Sequence, residues 1–252
     1  MISDSELFDL LGTHIGIYPF VEKNVEGASI FLTASRFAWS KTKLISITSG
    51  NKIIIQPKDT GIILSEESIS LDGWVSGICI SRVSYMVDGV ILPSTPIKPG
   101  WTGRLIIALY NTTEKPVSIT VGDQISVVMF SKLKEEALLK DGRKTRSDIL
   151  QYIGIHLNKK QNKELNETLN DHNYIEPNRL MEAMKESEDF RKFKKRKKKN
   201  RDFTLIFFWG SVVLSIILWV IFKQTDASEI LLVLIPVFLS TALTLALKKW
   251  GN

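Results

Sequence analysis

Residues 101–130 read WTGRLIIALYNTTEKPVSITVGDQISVVMF, and this stretch decides the fold class. Three apolar runs rich in β-branched residues, 105–110, 117–121 and 125–130, are cut by polar, Pro- and Gly-bearing turns at 111–116 and 122–124. Short runs with turn signals at this spacing predict antiparallel strands. Upstream, residues 53–56, 62–64 and 75–80 read the same way, and no ten-residue helical period separates them. Residues 1–130 are therefore expected to form an all-β barrel or sandwich, preceded by one short helix over 4–11, rather than a doubly wound sheet. Beyond Phe130 the composition turns to Lys, Glu, Leu and Asn. Leu133, Ala137 and Leu138 fall on one helical face and Leu165 and Leu169 on another, while Pro177 suits the first turn of a last helix. Its Leu180, Met184, Phe190 and Phe193 make a sparse apolar stripe. The segment 131–201 reads as a helical connector or a coiled-coil stalk.

The charge is concentrated in one place. Arg191, Lys192, Lys194, Lys195, Arg196, Lys197, Lys198, Lys199 and Arg201 lie within eleven positions. The formal net charge of +6 less these nine leaves −3 for residues 1–190, because residues 202–252 hold three acids and three lysines. The pI of 9.2 thus describes a short run and not a nucleic-acid-binding surface. Directly after it, residues 203–222 (FTLIFFWGSVVLSIILWVIF) contain no charge, and as a helix they would be ~30 Å long, the thickness of a bilayer's hydrocarbon. Residues 230–247 (ILLVLIPVFLSTALTLAL) are a second uncharged run, holding Pro236. The expected organisation is a β domain over 1–130, the connector over 131–201 and a two-helix transmembrane hairpin over 202–252. Lysine and arginine lie mainly before the first span and after the second, which predicts an inner-membrane protein with both termini cytoplasmic. Lys194, Lys195, Arg196, Lys197, Lys198, Lys199 and Arg201 would anchor it on anionic lipid. A single cysteine, Cys79, excludes an internal disulfide, and His14, His156 and His172 make no zinc-ligand spacing with it, so neither metal nor cofactor is expected.

Five short motifs in order carry a resemblance: ISDSEL at residues 2–7, Gly73-Trp74-Val75-x-Gly77, Lys98-Pro99-Gly100-Trp101-x-Gly103, Tyr110-Asn111, and Gly122-Asp123-x-Ile125. The pattern over about residues 1–130 resembles the dCTP deaminase and dUTPase family. That resemblance implies a distorted, dUTPase-like β-barrel, a homotrimer or other homo-oligomer, and nucleotide sites between subunits. It also implies a water-activating glutamate where Ala108 stands, or an aspartate where Lys98 stands. Likewise it implies a carboxylate where Ile30-Phe31 stands and an arginine where Val87 stands. An alanine cannot move a proton, so this reading expects a chain that is not an enzyme. The phosphate-binding part survives: Ser81-Arg82-Val83-Ser84 with Gly89 is similar to the family's Gly-Arg-Ser-Ser and its downstream glycine. Arg82, Ser84, Ser81 and Lys98 are the expected ligand residues; alternatively Arg82 pairs with Asp88 or Asp72. Arg104 is expected at the surface.

The function expected from these features is a membrane-anchored nucleotide sensor. A nucleotide or cyclic oligonucleotide, made by a partner enzyme, would bind the β domain and control membrane disruption by the helices. The architecture resembles bacterial antiphage effectors, Panoptes-type systems above all. The alternatives are an active membrane-tethered dCTP deaminase or dUTP diphosphatase using Glu66, Glu67 or Asp72, and a trimeric structural scaffold.

Overall fold

A computed structural model describes residues 1–138, 154, 155, 157, 159–169, 171, 176–196, 209–211 and 213. The chain divides into two compact units, Met1–Phe190 and Arg191–Asn252. The first unit is mainly β. Its large sheet follows the order β8 (Val90–Ile91), β10 (Thr102–Asn111), β6 (Thr60–Leu71), β3 (Ser29–Ser40), β12 (Gln124–Lys132), β7 (Val75–Ser81) and β9 (Thr95–Ile97). Two further strands join off that path, β1 (Ile15–Tyr18) on β6 and β2 (Val25–Glu26) on β3. A small sheet pairs β11 (Val117–Thr120), β5 (Lys52–Ile55) and β4 (Thr48–Ser49).

Five of the six expected strands agree with the sequence reading to within a few residues. The sixth, expected at 62–64, is a fragment of the twelve-residue β6, and its neighbour β3 was not anticipated at all. The physical reason is burial on both faces. Only two residues of β6 escape full burial, Thr60 and Glu66, so no alternation of polar and apolar residues marks the strand, and Ser65, Ser68 and Ser70 are as deeply buried as its isoleucines.

The leading helix α1 (Asp4–Leu10) is set by its cap. The Ser3 hydroxyl accepts the Glu6 N–H at 3.2 Å, and the Glu6 carboxylate accepts the Ser3 N–H at 2.9 Å. That backbone bond holds the Glu6 carboxyl below its usual range. Leu7 and Leu10 turn inward, and Ile2 N–H donates to the Phe130 carbonyl at 3.2 Å.

Two expectations for the connector need correction. Residues 133–138 are not helical, and Leu138 is fully exposed. The helix expected from Pro177 onward, α4 (Pro177–Glu186), stops at Ser187 before residues 188–196 turn helical again, and it is not a free stalk, because it lies against β1 and β6 with Leu180 and Met184 completely buried. Pro177 does open it, as expected. A Cβ on Gly16 would lie 2.7 Å from Leu180 Cδ2, so the absent side chain is what lets the helix approach the strand. Helix α3 (Lys159–Leu169) lies between them in sequence. Among the described residues no helix is long and apolar enough to cross a membrane. The expected spans at 203–222 and 230–247 lie outside the described residues, apart from 209–211 and 213.

Candidate functional site

Strand β7 ends at Ser81, and Arg82 follows in extended geometry as the residue before the short helix α2 (Val83–Val87). Strand β12 pairs with both β7 and β3, placing Ser126 opposite Ser81 and Val127 opposite Phe31. That register gathers three distant residues. Arg82 Nη1 donates to the Gln124 carbonyl at 2.7 Å, and its guanidinium lies 5.1 Å over the Phe31 ring. A ring thus stands where the family resemblance implies a carboxylate. It supports the cation through its π face.

Beside this arrangement is a cavity of about 520 Å³ lined by Lys23, Arg82, Ser84, Tyr85, Asp88 and Gln124, among others. The structure therefore brings together Arg82 and Ser84 of the expected ligand residues. The Ser81 hydroxyl is buried with no hydrogen-bond partner among the described residues, and it does not line this cavity. Lys98 is exposed in the turn before β10, away from the cavity. Of the two acids considered for Arg82, Asp88 lines the same cavity. Asp72 is occupied elsewhere, accepting the Trp74 N–H and bonded to His14. Burial pushes the Tyr85 hydroxyl pKa up, aided by Asp123 and Asp88 and opposed by Arg82.

Sequence reasoning missed Lys23, Tyr85 and Gln124, which come from three separate segments. It also missed the buried network behind them. Gln124 Nε2 donates to Asn24 Oδ1 at 3.0 Å, and Asn24 Nδ2 donates to Glu67 Oε1 at 3.2 Å. Glu67, 2% exposed, also accepts the Thr33 N–H at 2.8 Å and the Thr33 hydroxyl at 2.8 Å. Burial raises the Glu67 carboxyl pKa, and these hydrogen bonds only partly offset it. Backbone irregularity creates the place for this carboxylate. The register of β10 on β6 shifts between Arg104 and Ile106, and that of β3 on β6 between Ala34 and Ala38. The residues left over, 65–67 and 35–37, form two neighbouring bulges that turn side chains out of the ladder.

Arg104 corrects another expectation. It is 4% exposed rather than on the surface, and Nη1 donates to the Ser65 carbonyl at 3.2 Å and approaches Glu66 at 3.5 Å. The β6 bulge supplies both acceptors. Farther along the same strand, Ala108 packs into an apolar cluster of Trp39, Ile62, Leu64, Ile155 and Leu165, with Phe37, Ile106 and Leu157 at its edge. Ile155 and Leu165 come from the sequence after the β domain, so part of the expected connector covers the sheet.

Residues 1–133, which hold the β fold and a cavity lined by two cations, two carboxylates and hydroxyls, match the dCTP deaminase-like family, so the chain belongs to that family. Similar relatives include the dCTP deaminase of Pyrococcus furiosus, 34% identical over 48% of this chain and 78% of that protein. Another is the dCTP deaminase of Pyrococcus horikoshii, 30% identical over 47% of this chain and 76% of that one. Among solved structures, the Agrobacterium tumefaciens 2'-deoxycytidine 5'-triphosphate deaminase superposes with a TM-score of 0.45 at 16% identity. That match covers 53% of this chain and 48% of the solved chain. The expectation that the chain is not an enzyme is overturned by these relatives, which are named for an enzyme activity at up to 34% identity. That expectation rested on Ala108, Lys98, Phe31 and Val87, where the resemblance implies polar or acidic residues; Glu66 and Glu67, the alternative carboxylates, stand on β6, the strand paired with that of Ala108.

Proposed function

We propose that the domain binds a pyrimidine deoxynucleoside triphosphate and removes the exocyclic amine of dCTP by hydrolysis, releasing ammonia and leaving dUTP. The observation that carries this reading is the family match over 1–133. The geometry supports it: Lys23 and Arg82 supply cationic donors and Ser84 a hydroxyl to a cavity of a size that suits a nucleotide, beside the carboxylates of Asp88 and Asp123. Ala108 cannot take the proton from water, so another carboxylate must. Of Glu66, Glu67 and Asp72, Glu67 is the one joined to this cavity by hydrogen bonds among the described residues, through Asn24 and Gln124, and a carboxyl with a raised pKa suits proton exchange. The test is turnover of dCTP by the full chain in detergent, followed by ammonia release. Arg82→Ala should raise KM at least tenfold, and Glu67→Gln should lower kcat while leaving dCTP binding intact. Absence of both turnover and saturable dCTP binding would overturn the proposal.

A second reading makes the same domain the sensor of a membrane effector, in a homo-oligomer whose trimeric form is the family expectation. The docking of α4 favours it, because that helix leads into the basic run and the two uncharged segments. A nucleotide or cyclic oligonucleotide would act only through its differential affinity for two arrangements of the protein. Expression of the full chain should then harm cells in a ligand-dependent way, and a chain ending at Arg201 should not. Equal growth with both, with and without ligand, would refute it.

A further inference from the structure

Gln124 stands between the Arg82 cavity and the buried Glu67 network, and hydrogen-bond accounting fixes which way its carboxamide faces. As a carboxylate, Glu67 offers its neighbours acceptors: Oε2 receives the Thr33 N–H at 2.8 Å, and Oε1 receives the Thr33 hydroxyl at 2.8 Å and Asn24 Nδ2 at 3.2 Å. Asn24 must therefore turn its amide nitrogen to the carboxylate, which leaves Oδ1 facing Gln124. That oxygen accepts from Gln124 Nε2 at 3.0 Å, and with Asn24 3% exposed both bonds are shielded from water. The main-chain carbonyl of Gln124 is engaged as well, by Arg82 Nη1 at 2.7 Å. What Gln124 has left for the cavity it lines is Oε1, an acceptor that takes no hydrogen bond among the described residues. We infer that Gln124 Oε1 recognises the exocyclic 4-amino group of a cytosine base, with Asn24 as the positioning residue that keeps the carboxamide in this orientation.

This assignment rests on the reading of the Arg82 cavity as a nucleotide site and adds how that site tells one pyrimidine from another. The 4-amino group of cytosine brings N–H donors, one of which Oε1 accepts. Uracil in the same pose sets its O4 against Oε1, two acceptors with no proton between them, so both are left unpaired on burial. A site that pairs with a substrate N–H rejects the analogue lacking it more strongly than a site that reads shape alone. The polarity is inherited along the network: a carboxylate at 67 fixes Asn24, and Asn24 fixes Gln124, so an acceptor and not a donor faces the base. Two carboxylates also line the cavity. Asp123 Oδ2 is engaged by the Thr120 N–H at 2.8 Å, and Asp88 is the competing acceptor.

Rapid filtration of labelled dCTP and dUTP on the full chain in detergent reads binding ahead of turnover, and ammonia release is followed in parallel. Wild type should bind dCTP at least about tenfold more tightly than dUTP. Gln124→Leu should weaken dCTP about tenfold and leave dUTP within about threefold, so that the ratio approaches one. Asn24→Leu frees the carboxamide to turn and should lower the same ratio at least about threefold with dUTP binding retained, whereas a residue that merely held the fold would weaken both nucleotides equally. Because Asn24 is buried, Gln124→Leu carries the test should Asn24→Leu fail to fold. The inference is overturned if wild type binds dUTP as well as dCTP, if Gln124→Leu keeps the preference, or if Asp88→Asn removes a preference that Gln124→Leu retains. Any of these with dCTP turnover intact leaves the proposed hydrolysis standing, while loss of saturable binding of both nucleotides by wild type removes the two together.

Discussion

Replacing Leu180 by alanine tests whether α4 is fastened to the β domain. Leu180 is completely buried against β1, where a Cβ on Gly16 would fall 2.7 Å from its Cδ2. Met184, one turn on, is equally buried and receives the Ile17 N–H on its sulfur at 3.2 Å. Truncating a fully buried leucine costs about 3 kcal/mol, the lost transfer energy plus the cavity left behind. Since roughly 1.4 kcal/mol is a factor of ten in an equilibrium constant, amide exchange over residues 177–186 should quicken about 100-fold. Gly16→Ala alone should also loosen the helix, because the added methyl overlaps Leu180. In the double variant that methyl occupies space the leucine has vacated, so the two losses should sum to less than their separate values, with a coupling of about 1 kcal/mol. The assay is hydrogen exchange read by mass spectrometry on the full chain and its three variants in detergent. Exchange over 177–186 that changes less than threefold in Leu180→Ala, or costs that add with no coupling, would refute the docking argument.

Glu67 offers a pH test. Burial raises its pKa in the folded chain above that in the unfolded chain, so between those two values the folded state holds more protons than the unfolded state and stability falls as pH rises through that window. Thermal midpoints of wild type should therefore decline, relative to Glu67→Gln, as pH rises from about 4.5; parallel curves would contradict this. Gly89→Ala should be destabilising for two separable reasons, a positive φ of 76° and a Cβ placed 2.5 Å from Thr113 Cγ2. Adding Thr113→Ser removes the methyl that is struck and should recover part of the loss, leaving about 1 kcal/mol for the left-handed backbone. Full recovery in the thermal midpoint would show that strain at 89 is absent. Phe31→Ala should lower the affinity for dCTP severalfold by releasing the Arg82 guanidinium from its ring, as measured by titration; unchanged affinity would mean that the ring does not position the cation.

What could be read from the chain was whatever depends on neighbours in sequence. The capping residues of α1, the Pro177 start of α4 and the turn-bounded strands β10, β11 and β12 all follow from local propensity and spacing. The run Ser81-Arg82-Val83-Ser84 could be picked out for the same reason, and the structure puts two of its residues, Arg82 and Ser84, on one cavity. Strand β3 was not, because a central strand buried on both faces loses the alternation that marks a half-exposed one. Arg104 read as a surface cation, since nothing local reveals that a bulge 39 residues earlier offers it a carbonyl. Likewise Asn24 and Gln124, a hundred residues apart, join Glu67 to a cavity only once β12 has paired beside β3. By itself, then, the sequence determined the β class, the family likeness and the concentration of nine basic residues in one run, all of which rest on composition and short-range pattern. Only the tertiary structure decided that Phe31 carries Arg82, that Glu67 is buried among three donors, and that α4 is held on the β domain, because each depends on strand register and on burial of groups brought together from distant positions.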